Sequence, residues 1–204
     1  MRGLFRFFTF LVRGNESLLD TNKDVITKYN YNTLKIFTLI YSLISVFFQV
    51  ISFLPFFPLY SRTVYKIFFA AFLFNFVLLY CLCKFFKKYV SSNVLPFIYV
   101  FNFVLFTWGL IFNLAAEPAE PYTLTLCFLM IIPIIFIDRP RRILITGIFS
   151  YLIAILFSFL FKDWNLFLTD VINTSMFLII GLILGNVTRS YQIRYIDMTA
   201  HKID

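Results

Sequence analysis

The sequence predicts an all-α integral membrane protein, a bundle of about six transmembrane helices with both ends on the cytoplasmic side. Three observations predict it. Of 204 residues, 61% are hydrophobic and only 14% charged, against about half and a quarter in a soluble domain. The apolar residues gather in runs of membrane-spanning length. The Lys and Arg residues stand at the ends of those runs, nearly all on one side.

Residues 1–33 are mixed in character. Gly3–Val12 is apolar and aromatic, with Arg2, Arg6 and Arg13 in or beside it, the composition of an interfacial helix. It does not read as a cleavable signal peptide, because Phe7–Val12 is too short and ends at Arg13 without a small-residue site. After the polar stretch Gly14–Ser17, Thr21 or Asn22 is placed to cap a short cytoplasmic helix leading into the first span. Six runs then approach the length of about 20 residues that a span needs, at about 34–57, 64–83, 94–115, 122–137, 142–161 and 168–188. The fourth is shorter and carries Pro133. These runs are apolar on all sides, which predicts lipid contact over most of their surface. Their short connections make successive helices antiparallel neighbours. The chain thus divides into an N-terminal segment (1–33), a transmembrane domain (34–188) and a linker helix (189–204).

Orientation follows from the loops. With six spans, Arg62, Lys66 and Lys162 lie on one side and the other fifteen Lys and Arg on the opposite side. The basic side is cytoplasmic by the positive-inside rule. A different number of spans would scramble this asymmetry. Acidic residues mark the outer loops: Glu117 and Glu120 after the third run, Asp163 and Asp170 after the fifth. The net charge of +8 therefore sets topology and does not read as a nucleic-acid patch. The wealth of Phe, Ile, Asn and Lys points to an AT-rich bacterial genome, and so to the bacterial cytoplasmic membrane.

Catalytic patterns are missing from the sequence. It has a single histidine, His201, and no phosphate-binding glycine loop, C-x-x-C or H-E-x-x-H. The expectation is a protein that is not an enzyme and holds no cofactor or metal. Cys81, Cys83 and Cys127 read as small packing residues. Charged residues in mid-membrane usually mark ion or proton paths. Here every Asp, Glu, Lys and Arg is expected at or near a span end, which argues against proton-coupled transport. The uncharged polar residues within the runs are Gln49, Asn75, Asn102, Trp108, Asn113, Asn173, Thr174, Ser175 and Asn186. They either hydrogen-bond between helices or line a pocket. In the pocket reading, Asn102, Trp108 and Asn113 approach Glu117 and Glu120 at the outer mouth and bind a small molecule of unknown identity.

Gly181 and Gly185 form a small-x-x-x-small pair, suited to close packing within the bundle or to a homodimer seam. Beyond Asn186 the helical pattern continues with neither Pro nor Gly. Val187, Tyr191, Tyr195, Met198 and Lys202 recur at spacings of 4, 4, 3 and 4. This stripe reads either as a polar tail or as a helix running on into the cytoplasm, with Tyr191, Tyr195 and Met198 on a signal-bearing face.

Two segments carry a resemblance. The entry runs from Gly14-Asn15-Glu16-Ser17-Leu18-Leu19 through Tyr29-Asn30 to Leu34-Lys35. The exit is the last helix followed by Ala200-His201-Lys202-Ile203-Asp204. Together they resemble the membrane-embedded N-terminal regions of bacterial GGDEF-type diguanylate cyclases. In that family a multi-span sensor ends in a helix leading to an Asp-x-Leu-Thr-Gly-Leu signature, whose Asp would correspond to Asp204. The cyclase motif itself is not in this sequence. The resemblance implies a sensory and anchoring domain, dimeric, relaying a signal to a fused or associated cytoplasmic effector. Two rival expectations stand beside it: a substrate-binding subunit of a vitamin-uptake system, often similar in length and helix number, and a scaffold with no ligand.

Overall fold

The computed structural model describes residues 16–54, 59–115 and 119–200. The predicted interfacial helix Gly3–Val12, Glu117 and residues 201–204 lie outside them. The described elements are all helical: α1 (Glu16–Thr21), α2 (Lys23–Ile51), α3 (Leu59–Phe85), α4 (Lys87–Ser92), α5 (Val94–Ala115), α6 (Leu124–Ile135), α7 (Pro140–Phe161) and α8 (Trp164–Ala200). Five of them, α2, α3, α5, α7 and α8, are long and apolar enough to cross a membrane. Between 11% and 39% of each apolar window is buried inside the protein, so most of that surface faces outward and requires an apolar solvent.

The boundaries follow local chemistry. Pro96 sits in the first turn of α5, where the N–H it lacks would have had no helical partner. Pro140 opens α7, and the preceding Arg139 is extended (φ −62°, ψ 134°) as a residue before proline prefers. α2 begins at Lys23, so the cytoplasmic lead-in and the first span, expected as separate pieces, are one helix of 29 residues. Nothing in Lys23–Lys35 breaks helical geometry. α8 runs 37 residues without a break, about 55 Å, well beyond a hydrocarbon core of about 30 Å.

The fourth apolar segment departs from the expectation. Only Leu124–Ile135 is helical, with Pro133 inside it. Twelve residues reach about 18 Å, too short for a spanning helix. The reason is that α6 is packed inside the bundle, chiefly along α8 and α5. Irregular backbone is tolerated at membrane depth where protein satisfies it. Asp170 accepts the N–H of Tyr122 at 2.7 Å. At the other end Asn30 accepts the N–H of Ile137 at 3.0 Å and donates to its carbonyl at 2.7 Å. Asp170 and Arg189 are nineteen residues apart on α8, about 28 Å along its axis. The segment touches both, so the short helix and its extended ends run the thickness of the bundle.

Two polar layers close the bundle. At the basic end, Tyr31 donates to the carbonyl of Cys83, Asn22 to Asp197, and Gln192 to the hydroxyl of Tyr29. Arg139 pairs with Asp20 at 2.8 Å. At the acidic end, Asn113 meets Thr123 and Thr125, and Asp170 meets Ser158 and Lys162. Between the layers lies a largely aromatic core of Phe72, Phe76 and Phe101, joined by Leu105, with Tyr41 stacked on Phe76 at 5.3 Å. Thr38, Ser42 and Ser45 form a buried stripe of small residues on α2, continued by Ser52 just past its end, and α2 packs mainly on α3. Their hydroxyls bond to carbonyls of their own helix, so small size lets the backbones approach without leaving a polar group unpaired.

Gly185 faces Pro133 of α6. A Cβ there would lie 2.7 Å from both the Cβ and the carbonyl oxygen of Pro133. Because the obstacle is backbone, Gly185→Ala is expected to cost about 1–3 kcal/mol, read as a shift in the denaturation midpoint in micelles. Gly147→Ala should cost less, since its Cβ would meet the mobile end of Leu178, at 2.9 Å. Equal shifts would show that the α6–α8 contact is not the tighter one.

Candidate functional site

A cavity of about 590 Å³ lies between α5, α6 and α7, within the range of small-molecule sites. Its walls follow from residue size. Gly147 brings α7 close to α8 at Leu178, leaving α7 in little contact with α5. Thr146, Gly147 and Ser150 are too small to refill the gap, and Pro133 offers only its ring. Leu110, Leu129, Phe106, Ile153 and Phe157 make the rest mostly apolar.

The basic end of the cavity is polar. Tyr99 donates its hydroxyl to the carboxylate of Asp138. Asp138 also accepts the N–H of Arg139 at 2.7 Å and lies 3.5 Å from the Arg142 guanidinium. Its side chain is only 9% exposed, so these donors replace the water it loses. The carbonyl of Asp138 accepts a 3.3 Å bond from Arg189 of α8, itself buried. Asp138 therefore belongs both to the cavity wall and to the contact that holds α8. Asn102 lines the same cavity about one turn deeper than Tyr99, with its carbonyl oxygen buried and unpartnered among the described residues.

The remaining predicted ligand residues are not gathered here. Trp108 is set edge-on against Phe68 at 4.6 Å, in the aromatic core. Asn113, fully buried, accepts from the Thr125 N–H and hydroxyl at 3.4 and 3.3 Å and so anchors the start of α6. It lies eleven residues from Asn102, about 16 Å along α5. The carbonyl of exposed Glu120 accepts from Lys162 at 2.6 Å. Gly181 is buried, as is Gly185. On the last helix Tyr191, Tyr195 and Met198 are exposed, while Ile193 and Ile196 on the other face pack with Leu19, Ile26 and Ile137.

The acidic end hides two of its charges from solvent. Lys162 and Asp170 read as outer-loop charges, yet both side chains are wholly buried and 3.1 Å apart. Ser158 donates to Asp170 at 2.6 Å, and the Lys162 ammonium lies 4.1 Å from the centre of the Tyr122 ring. The two-residue connection at 162–163 sets the first turns of α8 beside the start of α6, which hides charges that stand near helix ends in the sequence. The only hint was their opposite sign at a spacing of eight across a tight connection. Asp138 and Tyr99 were missed as site residues for a similar reason, since Asp-Arg-Pro-Arg-Arg reads as an orientation signal. Among the described residues no cluster of His, Cys, Asp and Glu is arranged to hold a metal. No family model matches the chain, and no match was found among curated proteins or solved structures.

Proposed function

We propose that this chain is a membrane-embedded sensory domain that relays occupancy of the α5–α6–α7 cavity through α8 to a cytoplasmic effector. In this reading the segment 122–138 counts as a sixth crossing and the basic end faces the cytoplasm, in a bacterial inner membrane. The observation that carries the proposal is Asp138. Its carboxylate closes the cavity and its carbonyl holds Arg189, so a ligand that displaces it also releases a grip on α8. A ligand moves such an equilibrium only by its differential affinity for the two states. Ile193 and Ile196, packed on α1, α2 and Ile137, define a docked state of the extension, and their release would define the second. The resemblance to diguanylate cyclase sensor regions supplies the class of effector. A transport subunit would use the same cavity, but an α8 of 37 residues favours the relay.

The test is hydrogen exchange across residues 186–198 in the purified full chain. Asp138→Asn weakens the hold on Tyr99 and Arg142, and Ser150→Trp fills the cavity as a ligand would. Both are expected to change protection of this stretch while α3 stays unaltered. Exchange that is identical in all three proteins would sink the relay. Reporter fusions at Ser92 and Glu120 check the orientation, with the first expected inside and the second outside.

A further inference from the structure

The cavity is not a closed pocket. Phe103, Ile145 and Phe149 line it, yet each is about two-thirds exposed, at 66%, 67% and 65%. Residues that belong at once to the wall and to the outer surface mark a groove open sideways, toward lipid. Its walls extend from Ile98 to Leu110 on α5 and from Ile143 to Phe157 on α7. At 1.5 Å per residue this is about 18–21 Å, a little more than one leaflet of a hydrocarbon core about 30 Å thick. A water-soluble ligand has no use for a lateral opening of this length.

The two ends differ in chemistry. The deep end, around Leu110 and Phe157, is apolar. The basic end has Tyr99 and Asp138 in the wall, and beside them exposed Arg141 and Arg142. Asp138 is already engaged by Tyr99 and by the Arg139 N–H, so its charge is largely spoken for. Arg142 lies 3.5 Å from Asp138 but its side chain is 48% exposed, and Arg141 is exposed beside it, so both present charge to an anion arriving from outside. Basic clusters beside such inter-helix crevices are suited to anionic headgroups. Asn102, on the wall just below this level, has a buried side-chain oxygen that lacks a donor among the described residues. A polar group entering from the basic end would reach the Asn102 amide before the apolar part begins. Aliphatic wall, polar rung and cationic rim follow one another in the order of tail, backbone and headgroup.

We infer that the groove between α5 and α7 seats one acyl chain of an anionic phospholipid from the leaflet at the basic end, with its headgroup on Arg141 and Arg142. This rests on the cavity identified above as the ligand site and names the chemical class of its occupant.

The experiment reconstitutes the full chain in nanodiscs containing phosphatidylcholine and a trace of lipid with a photoactivatable diazirine near the chain end. The probe is either phosphatidylglycerol or phosphatidylcholine, and labelled peptides are mapped by mass spectrometry. Labelling on Phe103, Phe149 and Ile153 is expected to exceed that on lipid-facing Phe74 of α3 at least several-fold for phosphatidylglycerol. Ser150→Trp should bring groove labelling down to the level of Phe74. Arg141→Gln with Arg142→Gln should remove the preference for phosphatidylglycerol while leaving tail labelling in place. Even labelling of all exposed helices, meaning annular lipid only, overturns the inference. So does equal labelling by the two headgroups in the unaltered protein. Gel filtration of each variant confirms that it is folded, and Thr146→Leu is a milder blocking variant should Ser150→Trp fail. Groove labelling with unchanged α8 exchange would reject the relay and leave this inference standing. Altered α8 exchange in Ser150→Trp without groove labelling would do the reverse.

Discussion

Replacing Asp170 by Ala is expected to lower the stability of the protein by about 3–5 kcal/mol, the cost of leaving a buried charge without its partner. The Lys162 side chain is fully buried, although its backbone at the end of α7 is partly open. Removing Asp170 takes away its only ionic partner among the described residues. It also strips the acceptor from the Tyr122 N–H and the Ser158 hydroxyl. Three elements lose their shared contact at once: the start of α6, the end of α7 and the first turns of α8. Asp170→Asn should cost less, since an amide oxygen still accepts one of these donors. The pair Lys162→Met with Asp170→Leu should recover a good part of the loss, because deleting both charges removes the desolvation cost as well as the attraction. Denaturation in mixed micelles of the unaltered protein, Lys162→Met, Asp170→Leu and the variant carrying both gives the four corners of the double-mutant cycle. If Asp170→Ala and the double variant are equally unstable, the damage lies in the orphaned Tyr122 and Ser158, and the ion pair is not the clamp.

Why the sequence reveals the bundle but not this clamp is a matter of length scale. Hydropathy over a window of some 20 residues reports whether a helix must face lipid, and α2, α3, α5, α7 and α8 satisfy that test by a wide margin. The lysine and arginine asymmetry reports which loops share a side. Neither signal carries lateral information. Whether Asp170 meets water or Lys162 depends on the direction in which one turn of α8 faces. That is set by α6 filling the space between α5 and α8, which no local pattern records. The same holds for Asn102 and Asn113. Both are amides in one apolar run, but Asn102 points into the groove while Asn113 ties down α6. The length of α6 was hidden for a further reason. Phe136 and Ile137 are as apolar as the residues before them, yet they are not helical, because Asn30 supplies the backbone partners that helix geometry would otherwise provide.

That substitution of a side chain for a helical turn makes Asn30 the second position where a large effect is expected. Asn30 is 1% exposed and binds Ile137 through both halves of its amide, as a neighbouring strand would. Leu has nearly the same shape and a better affinity for the surroundings, so hydrophobicity alone predicts that Asn30→Leu is harmless. Hydrogen bonding predicts the opposite. The N–H and C=O of Ile137 would be buried with no partner, at about 1–3 kcal/mol each, for a total of about 2–6 kcal/mol. Asn30→Asp retains an acceptor for the N–H and loses the donor to the carbonyl, so it separates the two halves. The next residue is Asp138, which holds Tyr99 and Arg189. Loosening Ile137 therefore slackens the polar end of the groove and the hold on α8 together. Hydrogen exchange at 136–139 should rise in Asn30→Leu before global unfolding does, and exchange at 186–198 should rise with it. A rise confined to 136–139 would mean that α8 is held by Ile193 and Ile196 alone, and that Arg189 contributes nothing to its docking.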